Sequence, residues 1–572
     1  MHFLMAVALI APSVTSTAYA VETTSQQSSE AVTSTTDSSR KQEPVITQET
    51  TDIKQEAPNQ ATSDSVKQSQ ETTAPTETTN LETSTAEKEE TSTPQKITIL
   101  GTSDVHGQLW NWSYEDDKEL PVGLSQVSTV VNQVRAQNPA GTVLIDNGDN
   151  IQGTILTDDL YNKAPLVNEK THPMITAMNV MKYDAMVLGN HEFNFGLPLI
   201  QKIQQEATFP ILSANTYNKE DGRRFVKGTT TKELDFNQDG QPDLKVGIIG
   251  LTIPHIPLWD GPRVTSLNFL PLKEEAEKAV TELKTNDQAD IIVASIHAGQ
   301  QNSDPAASAD QVIENVAGID AYILGHDHLS FTKQGAAPNG KTVPVGGPKD
   351  TGTEVVKIDL SVAKNADKWE VQEGTATIVP TTNVPADEAV KAATKEYHEK
   401  TRAFIQEEIG TATADFLPKQ EIKGIPEAQL QPTAMISLIN NVQKEVTGAQ
   451  LSGAALFKYD SKLPAGKISY ATIFDIYKYP NTLVSVPING ENLLKYLEKQ
   501  GAYYNQTQPD DLTISFNPNI RVYNYDMISG VDYKIDISKP VGERIVDAKI
   551  DGQPLDPAKE YTRSEERRVG KE

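Results

Sequence analysis

Five short segments of the chain combine histidine, aspartate and asparagine, which are side chains that bind metal ions and move protons. The segments are SDVHG, NGDN, GNHEF, HAG and GHDH, and the candidate ligands within them are Asp104, His106, Asp149, Asn190, His297, His326 and His328. The set contains no thiolate, which suits borderline or hard divalent ions such as Zn, Mn, Fe or Co. Seven ligands are too many for one such ion, so the pattern predicts a site for two.

A pair of metal ions about 3.5 to 4 Å apart needs a carboxylate that both can share. Asp149 is the best candidate for that bridge, because it stands alone in its segment between glycine-flanked turns. Any one of the five segments could instead be a turn or a helix cap. Five of the 9 histidines of the chain lie in these segments, however, and chance placement does not explain that concentration.

Each segment follows a short apolar run with the composition of a strand. Six such runs are present: KITIL ends at Leu100, TVLID at Asp146, YDAMVLG at Gly189, LKVGIIG at Gly250, DIIVASI at Ile296 and DAYILG at Gly325. Helix-like stretches such as LSQVSTVVNQVRAQ and LKEEAEKAVTELKT separate several of them. The alternation predicts an α/β fold with strands that are buried on both faces. Ligands in such folds bind at the carboxyl ends of strands, so we expect the five segments to converge.

The beginning of the chain has a different composition. Residues 1–20 have an apolar run followed by Ala18, Tyr19 and Ala20, which predicts a signal peptide. Residues 21–94 are rich in Thr, Ser and Glu and poor in large apolar side chains, which predicts a disordered spacer. We therefore expect a protein that is secreted or attached to the cell surface.

Charge and cysteine content restrict the function further. The formal net charge of -27 disfavours a broad basic face that would bind the phosphate backbone, so we expect no polynucleotide partner. The chain has 0 cysteines, so disulfides do not stabilise it, and its cohesion must come from hydrophobic cores or from metals. A large exported enzyme fits this composition better than a small secreted module.

The five segments, in this order, resemble the signature of the calcineurin-like metallophosphoesterases, in their extracellular 5'-nucleotidase branch. The resemblance implies a four-layer αββα sandwich at residues 95–384. It also implies one metal ion held by Asp104, His106, Asp149 and His328, and another held by Asp149, Asn190, His297 and His326. It gives catalytic roles to His191, as an unligated residue facing the transferred phosphoryl group, and to Asn194, which orients it.

Two details of the motifs separate sub-branches of this family. The 5'-nucleotidases typically read GNHEFD, whereas this chain reads GNHEFN with Asn194 at the last position, and its final motif closes with His328. Both features resemble the bifunctional 2',3'-cyclic-nucleotide 2'-phosphodiesterase/3'-nucleotidases. A neutral Asn194 can hold His191 by a hydrogen bond without supplying a charge, so the pKa of His191 should rise less than it would beside an aspartate.

The remainder of the chain is predicted to form a connector helix at 385–410 and a nucleotide-recognition domain at 411–562. In that domain the resemblance assigns base contacts to Tyr479 and Asn481, and a substrate contact to Lys458. The final residues, 563–572, read RSEERRVGKE, where the family continues with a strand. We expect this segment to be a non-native tail without a strand, in a domain that lacks its last part and any cell-wall attachment signal.

Nucleotides are the expected substrates, and two alternatives remain open. Within the same family, the protein could be a 5'-nucleotidase or a cyclic-dinucleotide phosphodiesterase. From another functional class, it could be a surface-binding protein whose phosphatase domain is an inactive scaffold. The complete ligand set and His191 disfavour the inactive scaffold, whereas Asn194 and Lys458 disfavour the 5'-nucleotidase.

Overall fold

A computed structural model describes residues 93–163, 166–338, 340–366, 368–419, 422–477 and 482–567. The signal peptide predicted at 1–20 and nearly all of the spacer predicted at 21–94 lie outside these ranges, so both stay predictions. Within the described ranges, each helix is too short or too polar to cross a membrane.

Two six-stranded sheets form the first domain. Their strands are, in chain order, β1 Gln95–Thr102, β2 Thr142–Asp146, β3 Ala185–Val187, β4 Ile211–Leu212, β5 Thr229–Leu234, β6 Leu244–Thr252, β7 Ile291–His297, β8 Ala321–Leu324, β9 Phe331–Ala336, β10 Thr342–Gly347, β11 Glu354–Asn365 and β12 Lys368–Pro380. One sheet has the order β12-β11-β1-β2-β3-β4 and the other β9-β10-β8-β7-β6-β5. Strands β1 to β4 are parallel, and so are β6, β7, β8 and β10.

The sheets pack face to face, and helices cover their outer faces. Ile97 of one sheet and Val293 of the other lie in one buried cluster between the sheets. Leu100 points the other way and packs in a cluster that contains the helix residue Val127. The α-helices of this domain with five or more residues are α1 Leu124–Gln137, α2 Pro173–Met181, α3 Leu197–Glu206, α4 Ile256–Asp260, α5 Leu272–Thr285 and α6 Ala309–Asn315, and Leu156–Asn162 forms a π-helix. The architecture is the four-layer αββα sandwich that the resemblance implied.

The connector helix is shorter than predicted. Helix α7 spans Glu388–Ile405, and the side chain of Asp387 caps its first turn by accepting from the Ala389 N–H at 2.7 Å. The prediction took Gly410 as the end of the helix, whereas β13 Glu408–Ala412 is a strand in which Gly410 pairs with Ile468. The backbone around Gly410 forms its hydrogen bonds with a strand that is distant in sequence. An Ala- and Glu-rich sequence pattern does not indicate such pairing.

The second domain combines short helices with small antiparallel sheets. Its helices are α8 Ala434–Thr447, α9 Tyr470–Ile476 and α10 Gly490–Gly501. Its longer strands are β14 Ser452–Ala454, β15 Gly466–Ser469, β16 Thr482–Asn489, β17 Met527–Ser529, β18 Asp532–Ile535, β19 Ile545–Ile550 and β20 Glu560–Arg567.

Strand β20 corrects the prediction for the tail. Residues 563–567 continue this strand, which pairs with β16 along its whole length, so the expectation that no strand forms beyond Thr562 is wrong. On its other side the Ser564 N–H donates to the carbonyl oxygen of Leu451 at 2.9 Å. The charged side chains of this segment predict no strand, but the contacts are made by the backbone and do not require apolar side chains.

Candidate metal centre and catalytic residues

The predicted metal ligands follow the carboxyl ends of parallel strands in both sheets. Strand β1 leads to Asp104 and His106, β2 to Asp149, β3 to Asn190, and β7 ends at His297, while β8 leads to His326 and His328. Three groups of side chains bring their ligand atoms within 4.8 Å of one another: Asp104, His106 and His328; His106, Asp149 and His191; and Asp149, His297 and His326. The structure thus gathers these residues into one continuous cluster in which Asp149 belongs to two groups.

Asn190, the remaining predicted ligand, joins the cluster at one end. Its side-chain oxygen lies 2.8 Å from Nδ1 of His326 and 3.2 Å from Nε2 of His297. The structure therefore places together the four residues that the resemblance assigned to the second metal ion: Asp149, Asn190, His297 and His326.

Five of these residues adopt a backbone conformation that L-residues rarely use. Asp104, His106, Asp149, His326 and His328 have φ angles of 52°, 50°, 59°, 76° and 55°. Left-handed backbone costs free energy for a residue with a side chain, and it persists where the surroundings demand it. Here it turns the chain sharply after β1, β2 and β8, where these five residues lie.

The electrostatics of the cluster favour the ionised forms of its carboxylates. Burial alone would raise the pKa of the Asp149 carboxyl, but the charges of His297 and His191 hold it well below its usual value. Burial likewise lowers the pKa of His297, and the charge of Asp149 outweighs it and raises that pKa to about 10. The pKa of the buried Asp104 carboxyl is lowered as well, with the hydrogen bond from His328 opposing the effect of burial. Asp104 and Asp149 therefore attract positive charge to this site, which a divalent cation would supply.

The fit to metal ions extends to the groups around the ligands. Nδ1 of His297 lies 2.7 Å from the carbonyl oxygen of Asn147, and Nδ1 of His106 lies 3.3 Å from that of Gln152, so in both rings Nε2 faces the cluster. Backbone acceptors of this kind fix the tautomer that a metal-binding histidine needs. A side chain at Gly189 would collide with the Asp149 carboxylate, so glycine is needed for the close approach of these loops. The residues present fit a divalent-metal site.

Glu192 has a role that the sequence analysis did not assign. Its side chain is 0% exposed and accepts from the backbone N–H groups of Gly189 at 2.7 Å, Asp149 at 2.8 Å and Asn150 at 2.7 Å. Burial raises the pKa of this carboxyl, and the nearby charge of Asp149 raises it further. Glu192 thus ties the loop that carries Asp149 to the loop that carries Asn190. The sequence signal for this role is a carboxylate inside the segment GNHEF, directly behind a buried strand.

His191 lies at the edge of the cluster. Its backbone N–H donates to Oδ1 of Asp149 at 2.7 Å, and its ring is 5.1 Å from that of His106 between centroids. Nδ1 of its ring lies 2.7 Å from Oδ1 of Asn194, as the sequence predicted for this pair. The side-chain amide of Asn194 in turn donates to Oδ2 of Asp260 at 2.7 Å. The sequence does not predict Asp260, because no candidate metal ligand was assigned after LKVGIIG, the run that forms most of β6.

The predicted substrate contacts of the second domain are described only in part. Tyr479 and Asn481 lie outside the described residues, so their roles stay predictions. Lys458 forms an ion pair with Asp475 at 2.5 Å, and both side chains are about half exposed. A cleft of about 230 Å³ in this domain is lined by aromatic and charged residues that include Tyr477, Tyr496 and Tyr523.

Comparisons with known proteins agree with this architecture. Residues 97–330 match the calcineurin-like phosphoesterase family, and residues 408–563 match the 5'-nucleotidase C-terminal domain. The chain is 30% identical over 83% of its length to the trifunctional nucleotide phosphoesterase protein YfkN of Bacillus subtilis, and it spans 36% of that protein. It is 29% identical over 81% of its length to a 2',3'-cyclic-nucleotide 2'-phosphodiesterase/3'-nucleotidase of Haemophilus influenzae, of which it spans 78%.

A solved structure extends the comparison to three dimensions. The crystal structure of the calcineurin-like phosphoesterase YfkN from Bacillus subtilis superposes with a TM-score of 0.51 at 30% identity, covering 55% of this chain and 100% of the other. The shared sandwich, the ligand-bearing strand ends and the second domain lead to one assignment. The chain belongs to the calcineurin-like phosphoesterase family and carries a 5'-nucleotidase C-terminal domain.

Proposed function

We propose that the protein is an exported phosphoesterase with two divalent metal ions, Zn, Mn, Fe or Co. In this proposal it hydrolyses 2',3'-cyclic nucleotides to 3'-nucleotides, and then 3'-nucleotides to nucleosides and phosphate. The observation that carries the proposal is the position of Asp149, whose ligand atom lies within 4.8 Å of those of His106 and His191 in one group and of His297 and His326 in another. A carboxylate in this position can bridge two ions.

The metal ions, when bound, would activate the attacking water and offset the charge on the phosphoryl oxygens. Asp149 and the histidines would hold the ions, and Glu192 joins the loops that carry Asp149 and Asn190. His191 faces the same space and donates a proton to the leaving ribose O2' as the phosphorus–oxygen bond breaks. The 3'-phosphate that results is hydrolysed in the same site, with the ribose O3' as the next leaving group.

The substrate class rests on two supports. The Haemophilus influenzae relative is named for activity on 2',3'-cyclic nucleotides and 3'-nucleotides, and it matches over most of both chains. The residue that contacts the His191 ring is Asn194, where the 5'-nucleotidases of the resemblance carry aspartate. The 5'-nucleotidase and the cyclic-dinucleotide phosphodiesterase are the alternatives within the family.

The test is hydrolysis of 2',3'-cyclic AMP by the metal-loaded protein, with the products separated by chromatography. We expect 3'-AMP to appear first and adenosine later, and both to vanish after treatment with a chelator. His191→Ala should lower kcat by about 10² to 10⁴ with metal content unchanged. His255→Ala is the matched control, because His255 pairs with Asp304 outside the ligand groups and its loss should leave kcat unchanged.

Three results would reject parts of this proposal. Hydrolysis of 5'-AMP at a much higher kcat/KM than that of the cyclic substrate would favour the 5'-nucleotidase. Preferred cleavage of a cyclic dinucleotide would favour that alternative. A protein that holds metal but cleaves none of these esters would be a scaffold.

A further inference from the structure

A chain of hydrogen bonds leads away from His191 to a buried carboxylate in the other half of the sandwich. The ring nitrogen Nδ1 of His191 contacts Oδ1 of Asn194 at 2.7 Å, and Nδ2 of Asn194 donates to Oδ2 of Asp260 at 2.7 Å. Oδ1 of Asp260 accepts from Arg263 at 2.7 Å. Asp260 is 3% exposed, whereas the side chain of Arg263 is 53% exposed.

The donor and acceptor atoms of Asp260, Asn194 and His191 set the direction of each hydrogen bond between them. The ionised carboxylate of Asp260 can only accept, so the amide nitrogen of Asn194 must face it. The amide oxygen of Asn194 then faces His191, and this oxygen can also only accept. The hydrogen of the neutral His191 ring therefore resides on Nδ1, which leaves Nε2 as the nitrogen available to the substrate.

We infer that Asp260 is a positioning residue for His191, acting through Asn194. Without Asp260 the Asn194 amide is free to rotate by half a turn, and its NH₂ group would then confront Nδ1 of His191 and favour the opposite tautomer. With Asp260 in place, the ring is held in the tautomer and orientation that leave Nε2 free for the leaving oxygen. The inference rests on the proposed function, since it assigns a purpose to the proton on His191.

The position of Asp260 in the fold fits this role. His191 and Asn194 follow β3 in the first sheet, whereas Asp260 ends the short helix α4, which follows β6 in the second sheet. Among the six strand runs predicted from the sequence, LKVGIIG, which forms most of β6, is the one that no predicted metal ligand follows. Trp259 of the same helix lies 5.9 Å from His326 between ring centroids. Helix α4 therefore lies beside the cluster.

The experiment exchanges the side chains of Asn194 and Asp260. Asp260→Asn should lower kcat for 3'-AMP by about tenfold or more, because the Asn194 amide loses its fixed orientation. Asn194→Asp should also lower kcat, because two carboxylates would then face each other at the position of the present 2.7 Å contact. The double variant Asn194→Asp/Asp260→Asn again pairs one carboxylate with one amide, and it should recover most of the activity.

Leaving-group dependence separates a positioning role from a structural one. Nitrophenolate leaves without help from an acid, whereas the ribose oxygen needs a proton. Asp260→Asn should therefore reduce kcat for 3'-AMP at least tenfold more than kcat for nitrophenyl phosphate. Metal content and melting temperature are measured for each variant. Asp304→Asn, at an exposed carboxylate away from the ligand groups, is the isosteric control and should behave as the wild type.

Equal losses on both substrates, loss of metal from Asp260→Asn, or failure of the exchange to restore activity would each overturn the inference. If Asp260→Asn does not fold, the comparison of Asn194→Asp with the double variant still decides, since recovery requires the exchanged pair. A wild-type protein that cleaves no phosphate ester would instead reject the proposed function. The two failures are thus distinguishable.

Discussion

Glu192 accepts a hydrogen bond from the backbone N–H of Asp149 at 2.8 Å, although the two residues belong to different loops. The same carboxylate accepts from Gly189 at 2.7 Å, at the start of its own loop. The segment GNHE thus contains the predicted ligand Asn190, the proposed proton donor His191 and Glu192, which joins the two loops, in three consecutive residues. These hydrogen bonds of Glu192 hold the loop of Asn190 against the loop of Asp149 without a metal ion.

We expect Glu192→Gln to weaken metal binding by about 10- to 100-fold, the loss typical of groups that hold metal ligands in place. An amide at this position presents an NH₂ group to backbone N–H donors and leaves at least one of them unpaired, which costs about 1–3 kcal/mol of folding stability. Competition with a zinc chelator and urea unfolding of the metal-free protein measure the two effects separately.

The control for this change is Glu399→Gln on helix α7, where the side chain is 63% exposed. It should alter neither metal affinity nor stability. Metal affinity unchanged in Glu192→Gln would show that the two loops hold their spacing without the carboxylate.

Asp149→Ala should remove both metal ions together, because Asp149 belongs to two of the three groups and the resemblance makes it a ligand of both ions. Activity should vanish with them. Elemental analysis distinguishes this outcome from the loss of a single ion, which is expected for His328→Ala because His328 belongs to one group. Two equivalents of metal retained by Asp149→Ala would contradict the bridging assignment.

The ligand cluster could be predicted because its signals are local. Each ligand lies within a few residues of a buried strand, and parallel strands present their carboxyl ends at the same edge. The helix LSQVSTVVNQVRAQ coincides with α1 Leu124–Gln137 for the same reason, since its apolar spacing lies within one segment. The predicted domain boundaries remain predictions.

The failures share the opposite property. The partner of Asn194 is Asp260, 66 residues further along the chain, and no motif joins them. The strand at Arg563 exists because of backbone pairing with β16 and with Leu451, which the charges of the tail do not reveal. The sequence predicts Gly410 as the end of a helix because its own segment does not indicate pairing with Ile468, its partner in the sheet.

Stability should fall as the pH drops below the pKa of an unfolded histidine, in part because of His172. Burial, together with the charge of Lys202, lowers the pKa of His172 to about 3. The neutral ring is 0% exposed and its Nδ1 accepts from the Met174 N–H at 3.2 Å, which caps helix α2. The unfolded state binds a proton that the folded state refuses, so this contribution is complete above pH 6.5 and is lost as the pH falls from there toward 3.

The slope from this residue is at most about 1.4 kcal/mol per pH unit. His172→Asn retains an acceptor at the cap and removes the titration, so its unfolding free energy should depend less steeply on pH between 6.5 and 4. Urea unfolding at a series of pH values measures the difference. Parallel curves for the variant and the wild type would mean that His172 takes up its proton without loss of the native structure.

Tyr479 provides the last prediction, and it concerns the base rather than the phosphate. The resemblance assigns this residue to stacking on the nucleobase, and stacking contributes roughly 1–3 kcal/mol per base. Tyr479→Ala should therefore raise KM for 2',3'-cyclic AMP by about 5- to 150-fold and leave nitrophenyl phosphate hydrolysis unchanged, since that ester has no base. Tyr523→Ala is the matched comparison, because Tyr523 is 52% exposed and lines the cleft of the second domain. A raised KM in Tyr523→Ala alone would move the base site to that cleft, and equal losses on both substrates in Tyr479→Ala would make Tyr479 a structural residue.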